Sequence, residues 1–410
     1  MLINRITLLG HKDHGKSTLI GNLLIQTGTA SEQRINDAKK TSQKLGRKFE
    51  PGFILDSFEE EREGGLTIDT TRVQINYKDI GFEFIDVPGH EELIKNMMSG
   101  ASYAKFAILL VSAKSDEGIR PQTKRHLFLA KMMGINKIII AVNKMDYANY
   151  RKDVFDNMRN EIETFLHKIG FDKKQAYFIP ISAYNADNLV KISKKTPWYK
   201  GSTLMDAMKN AVVGEEEETD GKLRIIVQGV LPSGKKTMTT GKIISGTIKA
   251  GEKVSIVPAN ITAKTKEIFV KGKKQKAARK GENVALTFDK EPKGSLRGSV
   301  IYGATVSVRP TKRVSSIIFF TKNVVKPISI KINGNEIACD EAKIKDVIDT
   351  GTGSKMKSSY DKTLNAADVE LKFSKAIIAE PFEISAELGR FVVYQGKEFV
   401  GLGIVKGCIT

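Results

Sequence analysis

Four short strings in the first half of the chain carry residue types that can hold a phosphorylated nucleotide. Gly10-His-Lys-Asp-His-Gly-Lys-Ser17 fits G-x-x-x-x-G-K-[ST]. With a strand before it and a helix after it, successive backbone N–H groups cradle phosphates at the positive end of the helix. Lys16 then reaches the terminal phosphates and the Ser17 hydroxyl joins the shell of a Mg2+ ion, with His11, Asp13, His14, Gly15 and Thr18 completing the phosphate site. Asp86-Val-Pro-Gly89 closes an apolar run, where an aspartate holds Mg2+ and the glycine N–H can sense a γ-phosphate. Asn143-Lys-Met-Asp146 closes another. The carboxylate of Asp146 can accept from both the N1–H and the 2-amino group of guanine, a donor pair adenine lacks, with Asn143 and Lys144 beside it. Ser182, Ala183 and Tyr184 follow the last apolar run, where a backbone N–H can meet the guanine carbonyl oxygen. Each string alone arises by chance. Four in this order, each at a strand's C-terminal end where open α/β sheets bind ligands, point to GTP or GDP with Mg2+.

The elements that must position these residues are legible as alternation. Segments 3–9, 73–77, 82–86, 106–112, 137–143 and 177–182 are β-branched or aromatic and bounded by turn residues, so they predict strands. Segments 17–26, 91–101, 122–133 and 154–169 carry apolar residues at helical spacing. The alternation predicts an α/β P-loop domain over 1–214, a mostly parallel sheet with helices on both faces. The acidic run 214–220 reads as an exposed linker. Beyond it, short alternating segments (223–230, 241–244, 254–257) are punctuated by Gly-containing turns, which predicts all-β barrels. Gly241, Gly246 and Gly251 recur every five residues, as bends between barrel strands require. A junction at Arg309-Pro310-Thr311 divides this region into barrels at 215–310 and 311–410.

Composition excludes several classes. Hydrophobic residues are 40 % of the 410 and charged residues 28 %, enough to bury cores. The longest apolar runs, 106–111 and 138–142, are strand-sized and far below the ~18 residues of a membrane helix. Residues 1–10 are too short, and too soon followed by charge, for a signal peptide. Cys339 and Cys408 cannot make a disulfide framework or a cysteine-rich zinc site. These features lead to the expectation of a soluble, cytoplasmic protein with no membrane partner. The net charge of +19 is unevenly placed: over 221–410 Lys and Arg number 34 against 17 Asp and Glu, leaving +2 for 1–220. The densest tract is Lys271-Gly-Lys-Lys-Gln-Lys-Ala-Ala-Arg-Lys280. Such a tract fits RNA phosphates or a mobile basic hairpin. His126 and His167 lie in amphipathic segments and read as structural. The basic stretch 28–56, with Arg34, Lys39, Lys40, Lys44, Arg47 and Lys48, reads as a solvated helical hairpin.

The sequence resembles the translational GTPases, within them the elongation factor 1-alpha branch. The four strings above carry the resemblance, together with Leu55-Asp56, Glu61-Arg-Glu-Gly-Gly-Leu-Thr-Ile-Asp69, Asn96-Met97, Thr196-Pro-Trp-Tyr-Lys-Gly201, and Leu388-Gly-Arg-Phe391 followed by Gly403-Ile-Val-Lys406. It spans essentially the whole chain and is densest before residue 210. It implies a molecular switch that hydrolyses GTP to GDP and phosphate. Thr67 is then the second protein hydroxyl on Mg2+, Asp86 stands behind the metal, and His90 orients the attacking water, with Lys16 on the phosphates. The resemblance also implies tRNA or the ribosome as partner, a guanine-nucleotide exchange factor, and no DNA.

Three departures bear on the cargo. Gly234-Lys-Lys-Thr-Met238 stands where elongation factors carry Gly-x-Gly-Thr-Val, no histidine follows His167 where they carry a His-Pro loop, and Lys12 replaces the usual valine. Gln122-Thr-Lys-Arg-His126 and 149–155 resemble instead the GTPase subunit of sulfate adenylyltransferase. That metabolic subunit is the alternative function, and termination and ribosome-rescue GTPases form a third branch. The charge of the C-terminal half favours the translational reading.

Overall fold

Six segments form one sheet: β1 (Ile3–Leu9), β2 (Thr71–Tyr77), β3 (Ile80–Asp86), β4 (Phe106–Ser112), β5 (Ile138–Asn143) and β6 (Ala176–Pro180), in the order β2-β3-β1-β4-β5-β6. Only the β2–β3 pair is antiparallel; β1–β3, β1–β4, β4–β5 and β5–β6 run parallel. All seven residues of β4 and all six of β5 are buried, which is why they read as unbroken apolar runs. The computed structural model describes residues 3–55, 71–86, 106–213, 221–233, 236–290, 292, 296–306, 308–322, 327–356 and 366–409. By contact the chain divides into two units, Met1–Glu215 with Thr350–Ser354, and Glu216–Asp349 with Lys355–Thr410.

Among the described residues five helices accompany the sheet: α1 (Lys16–Gln26), α2 (Glu32–Lys44), α3 (Pro121–Met132), α4 (Lys152–Lys168) and α5 (Leu204–Val213). Leu19, Ile20, Leu23 and Leu24 of α1 and Leu204, Met205 and Met208 of α5 share one core with Phe106, Ile108 and Leu110 of β4. The intervening Ala107, Leu109 and Val111 are equally buried, so both faces of β4 are covered. Pro121 opens α3, where its missing N–H has no helical partner to lose. In α4 an apolar stripe (Phe155, Ile162, Phe165) is buried, and the i,i+4 ion pairs Lys152–Asp156 and Arg159–Glu163 flank it. α2 buries only Ala38 and Ser42, as expected of a solvated helix. The expected helix at 91–101 and the linker at 214–220 lie outside the described residues.

The second half is two antiparallel barrels. In the first, Lys253–Val257, Val300–Gly303, Arg224–Ser233, Lys236–Ser245, Asn283–Phe288 and Ile261–Val270 follow one another, and the first strand pairs back onto the last to close the sheet. The second runs Ser329–Ile332, Arg390–Gln395, Glu398–Ile409, Thr311–Phe320, Ala366–Ile377 and Asn335–Asp349, and Ser329–Ile332 closes onto Asn335–Asp349. Each has its own apolar core. One expectation needs correcting. Gly241 is not a bend between strands: it lies inside Lys236–Ser245, where a Cβ would stand 2.6 Å from the Ile226 carbonyl oxygen. Gly246 and Gly251, with φ of +70° and +87°, do turn the chain. In the decapeptide 271–280, Lys273–Gln275 folds back on Ile268–Val270 as a hairpin, and Ala277–Arg279 pairs with Thr247–Lys249.

The barrels also meet each other. Arg224 donates from Nε to Glu380 Oε1 (2.7 Å) and from a terminal nitrogen to Oε2 (2.8 Å), joining a strand of the first barrel to the chain just after Ala366–Ile377 of the second. Both side chains are almost wholly buried. Ile244, Val300 and Tyr302 of the first barrel and Ile378 and Leu388 of the second share one buried apolar cluster.

Candidate nucleotide-binding site

The turn after β1 is shaped by two glycines with no room for a side chain. At Gly10, φ +141°, a Cβ would lie 2.8 Å from the Leu110 carbonyl oxygen of β4. At Gly15, φ +88°, it would lie 2.7 Å from Asn143 Nδ2. Between them Lys12–His14 forms a single 3-10 turn, and α1 starts at Lys16 with Gly15 as its N-cap. Gly15 offers no capping side chain, so the first-turn N–H groups of α1 are left for another acceptor, the arrangement that binds phosphate. Lys16 arches over the turn, its Nζ 3.2 Å from the Gly10 carbonyl oxygen. Ser17 is exposed on the first turn of α1, and the Thr18 hydroxyl donates to Glu50 Oε1 at 2.8 Å.

The two histidines of the turn differ. His14 is buried, its Nδ1 3.0 Å from the Leu110 carbonyl oxygen, and burial holds its pKa below the ordinary value. Its ring braces the loop against β4. His11 lies at the rim, its Nδ1 3.3 Å from Asp13 Oδ2.

Asn143, at the end of β5, ties the site together. Its Nδ2 donates to the His14 carbonyl oxygen (2.8 Å) and its Oδ1 accepts from the Ala183 N–H (2.8 Å). The phosphate turn and the 182–184 turn are thereby linked through one amide. Lys144 follows with φ +61°, and its Nζ is held by both oxygens of Glu117, at 2.8 and 2.7 Å. Asp146, half-buried, comes two residues later. Ser182 is buried, its Oγ accepting from the Asn185 N–H, and Ala183 is buried behind the more exposed Tyr184. Asn22 of α1 donates to the carbonyl oxygens of both Ala183 and Tyr184, at 2.5 and 2.9 Å.

The phosphate and base strings therefore come together at the C-terminal ends of β1 and β5 and after β6. Asp86 ends β3, beside Leu8 in register. Its side chain, and Thr67, Gly89 and His90, lie outside the described residues. Sequence reasoning missed Asn22, Glu50 and Glu117. Asn22 and Glu117 are isolated polar residues without a motif, and Glu50 was lost in a stretch dominated by basic residues.

Residues 1–213 match the family described as Elongation factor Tu GTP binding domain, and residues 321–406 match GTP-eEF1A C-terminal domain-like. Curated relatives named Elongation factor 1-alpha align along nearly their whole length. That of Methanothermobacter thermautotrophicus is 32 % identical over 97 % of this chain and 96 % of its own. That of Metallosphaera sedula is 34 % identical over 98 % and 96 %. The sulfate-activating alternative is not favoured. The chain belongs to the elongation factor 1-alpha family and is a GTP-binding, GTP-hydrolysing translation elongation factor.

Proposed function

We propose that this protein is a Mg2+-dependent switch that works on tRNA or the ribosome through its basic barrels, over domains 1–214, 215–310 and 311–410. The carrying observation is the excess of 17 positive charges over 221–410 together with the seating of the basic decapeptide in the first barrel. Lys249, Arg279 and Lys280 line an open hollow of about 730 Å3 there, with Gly246, Gly251 and Glu252. Cations on a rigid strand framework suit a phosphate backbone, whose binding releases counterions. A guanine-nucleotide exchange factor and a cytoplasmic location accompany this reading, and no DNA or membrane partner does.

At the nucleotide, Lys16 neutralises phosphate charge and the N–H groups of His11, Asp13, His14, Gly15, Ser17 and Thr18 cradle it. Asp146, Lys144 and the Ser182–Tyr184 turn take the base. Mg2+ would be held by Ser17 and Thr67, with Asp86 behind. A hydroxyl at a helix start suits an ion coordinated mainly by phosphates and water rather than by a protein cage, and among the described residues no cluster of acidic or histidine ligands offers one. When bound, that ion supplies charge stabilisation to the transferring phosphoryl group. His90 orients the attacking water. His90→Ala should keep GTP affinity while single-turnover hydrolysis slows by about a hundredfold or more. An unslowed single turnover, with stimulating partners present, would remove His90 from this role.

The partner is tested by filter binding with total tRNA, in a non-hydrolysable GTP analogue and in GDP. Retention should depend on the nucleotide, and log K against log salt should fall with a slope of about −0.7 to −0.9 per phosphate neutralised. Replacing Lys271, Lys273, Lys274, Lys276, Arg279 and Lys280 by Gln should flatten that slope and leave GTP binding intact. No retention in either nucleotide would defeat the RNA reading.

A further inference from the structure

The segment just before residue 56 touches the phosphate turn in a way that neither the motifs nor the relatives' names assign. Thr18, next to Ser17 on α1, gives its single hydroxyl proton to Glu50 Oε1 at 2.8 Å. The same carboxylate oxygen accepts from the Gly52 N–H at 3.3 Å. The Glu50 N–H in turn donates to Ser42 Oγ (3.0 Å), and the Ser42 hydroxyl donates to the Ala38 carbonyl oxygen (2.9 Å). Ser42 and Ala38 are the two buried residues of α2, so Glu50 is anchored on that helix and reaches from it to α1.

A second contact fixes the approach. A Cβ at Gly21, one turn along α1 from Thr18, would lie 2.0 Å from the Pro51 carbonyl oxygen. Gly52 likewise approaches Ser17, its built Cβ 3.4 Å from the Ser17 Cβ. Residues 50–52 are therefore seated on α1 at Ser17, Thr18 and Gly21, and Ile54 and Leu55 follow them into the core. Among the described residues no ion pair engages the Glu50 carboxylate, which accepts from the Thr18 hydroxyl and the Gly52 N–H.

A carboxylate beside a phosphate-binding turn opposes anion binding by charge. Its presence there is intelligible if geometry outweighs that repulsion. We propose that Glu50 is a positioning residue for the nucleotide: through Thr18 it holds the first turn of α1 in the conformation that grips phosphate, and so sets the rate of nucleotide release. This rests on the assignment of residues 10–18 to the phosphates.

The two effects of the carboxylate predict opposite outcomes, which makes the test sharp. Release of a fluorescent GDP analogue is followed by stopped flow at fixed Mg2+ and salt. Glu50→Ala should release it about tenfold faster, the consequence of losing one charge-assisted hydrogen bond. Glu50→Gln, whose amide oxygen still accepts from Thr18, should stay within about twofold of the parent. Thr18→Val, nearly isosteric, should match Glu50→Ala, and the double variant should be no faster than either single one. Should Glu50→Ala fail to fold, Thr18→Val and Glu50→Gln still read the link. Unchanged release in both Glu50→Ala and Thr18→Val, slower release in Glu50→Gln, or additive single effects would overturn the proposal. Lys16→Ala separates the premise from it: loss of GDP binding supports the phosphate assignment, and retained affinity defeats that assignment itself.

Discussion

Asp146→Ala should weaken GTP binding by more than about a hundredfold. In the proposed site the carboxylate would accept two hydrogen bonds from the base, and a partner group left unpaired costs about 1–3 kcal/mol, more where the lost acceptor was charged; each 1.4 kcal/mol is tenfold. The scaffold around it is firm. Met145 is buried and its N–H bonds the Ile181 carbonyl oxygen, while Asn143 and Glu117 hold the residues before it. Asp146→Asn should move preference from GTP toward xanthosine triphosphate, whose 2-oxo group accepts where guanine donates. Titration calorimetry with GTP, ATP and xanthosine triphosphate reads both effects, and equal affinity of the parent for ATP and GTP would remove Asp146 from base recognition.

The second large effect is on stability. Arg224→Met should destabilise the two-barrel unit by about 3–5 kcal/mol, because it strands the Glu380 carboxylate in a buried site. The pair is bidentate, and Arg224 also reaches Ser245 Oγ. Beside it Tyr302 is wholly buried, and burial with the neighbouring Glu380 carboxylate pushes its phenol far above the ordinary value. Adding Glu380→Leu to Arg224→Met should recover most of the loss, since apolar replacement of both partners removes the stranded charge. Denaturant unfolding of the intact chain measures both. A shift below about 1 kcal/mol in the single variant would mean that water already reaches the pair.

What was legible in the sequence is what local chemistry encodes. β4 and β5 announce themselves because a strand covered on both faces has no polar position to interrupt it. The phosphate turn is legible because Gly10 and Gly15 occupy conformations that few other residues adopt, and their spacing survives as a pattern. Asn143 was legible as a member of the base string, yet its contacts are to the backbone of His14 and Ala183, and no spacing reveals that. Glu117 and Glu50 were invisible for the same reason: their partners, Lys144 and Thr18, lie 27 and 32 residues away. Gly241 misled because a glycine needed for the close approach of two strands looks the same in sequence as one needed for a turn. In the basic decapeptide the hairpin was legible, but the seating of its second half was not, because one buried residue, Ala278, provides it.

Closure leaves most of the first barrel without a free margin, but Lys273–Gln275 continues the sheet beyond the closing pair, and all three of its residues are exposed. An unpaired strand margin invites the same margin of another molecule, and lysines are a common guard against such pairing. Lys273 and Lys274 stand on that margin, with Lys271 and Lys276 at its ends, so two copies brought edge to edge would set like charges against each other. The residues proposed to meet RNA would thus also disfavour edge-to-edge pairing of this margin with that of a second copy.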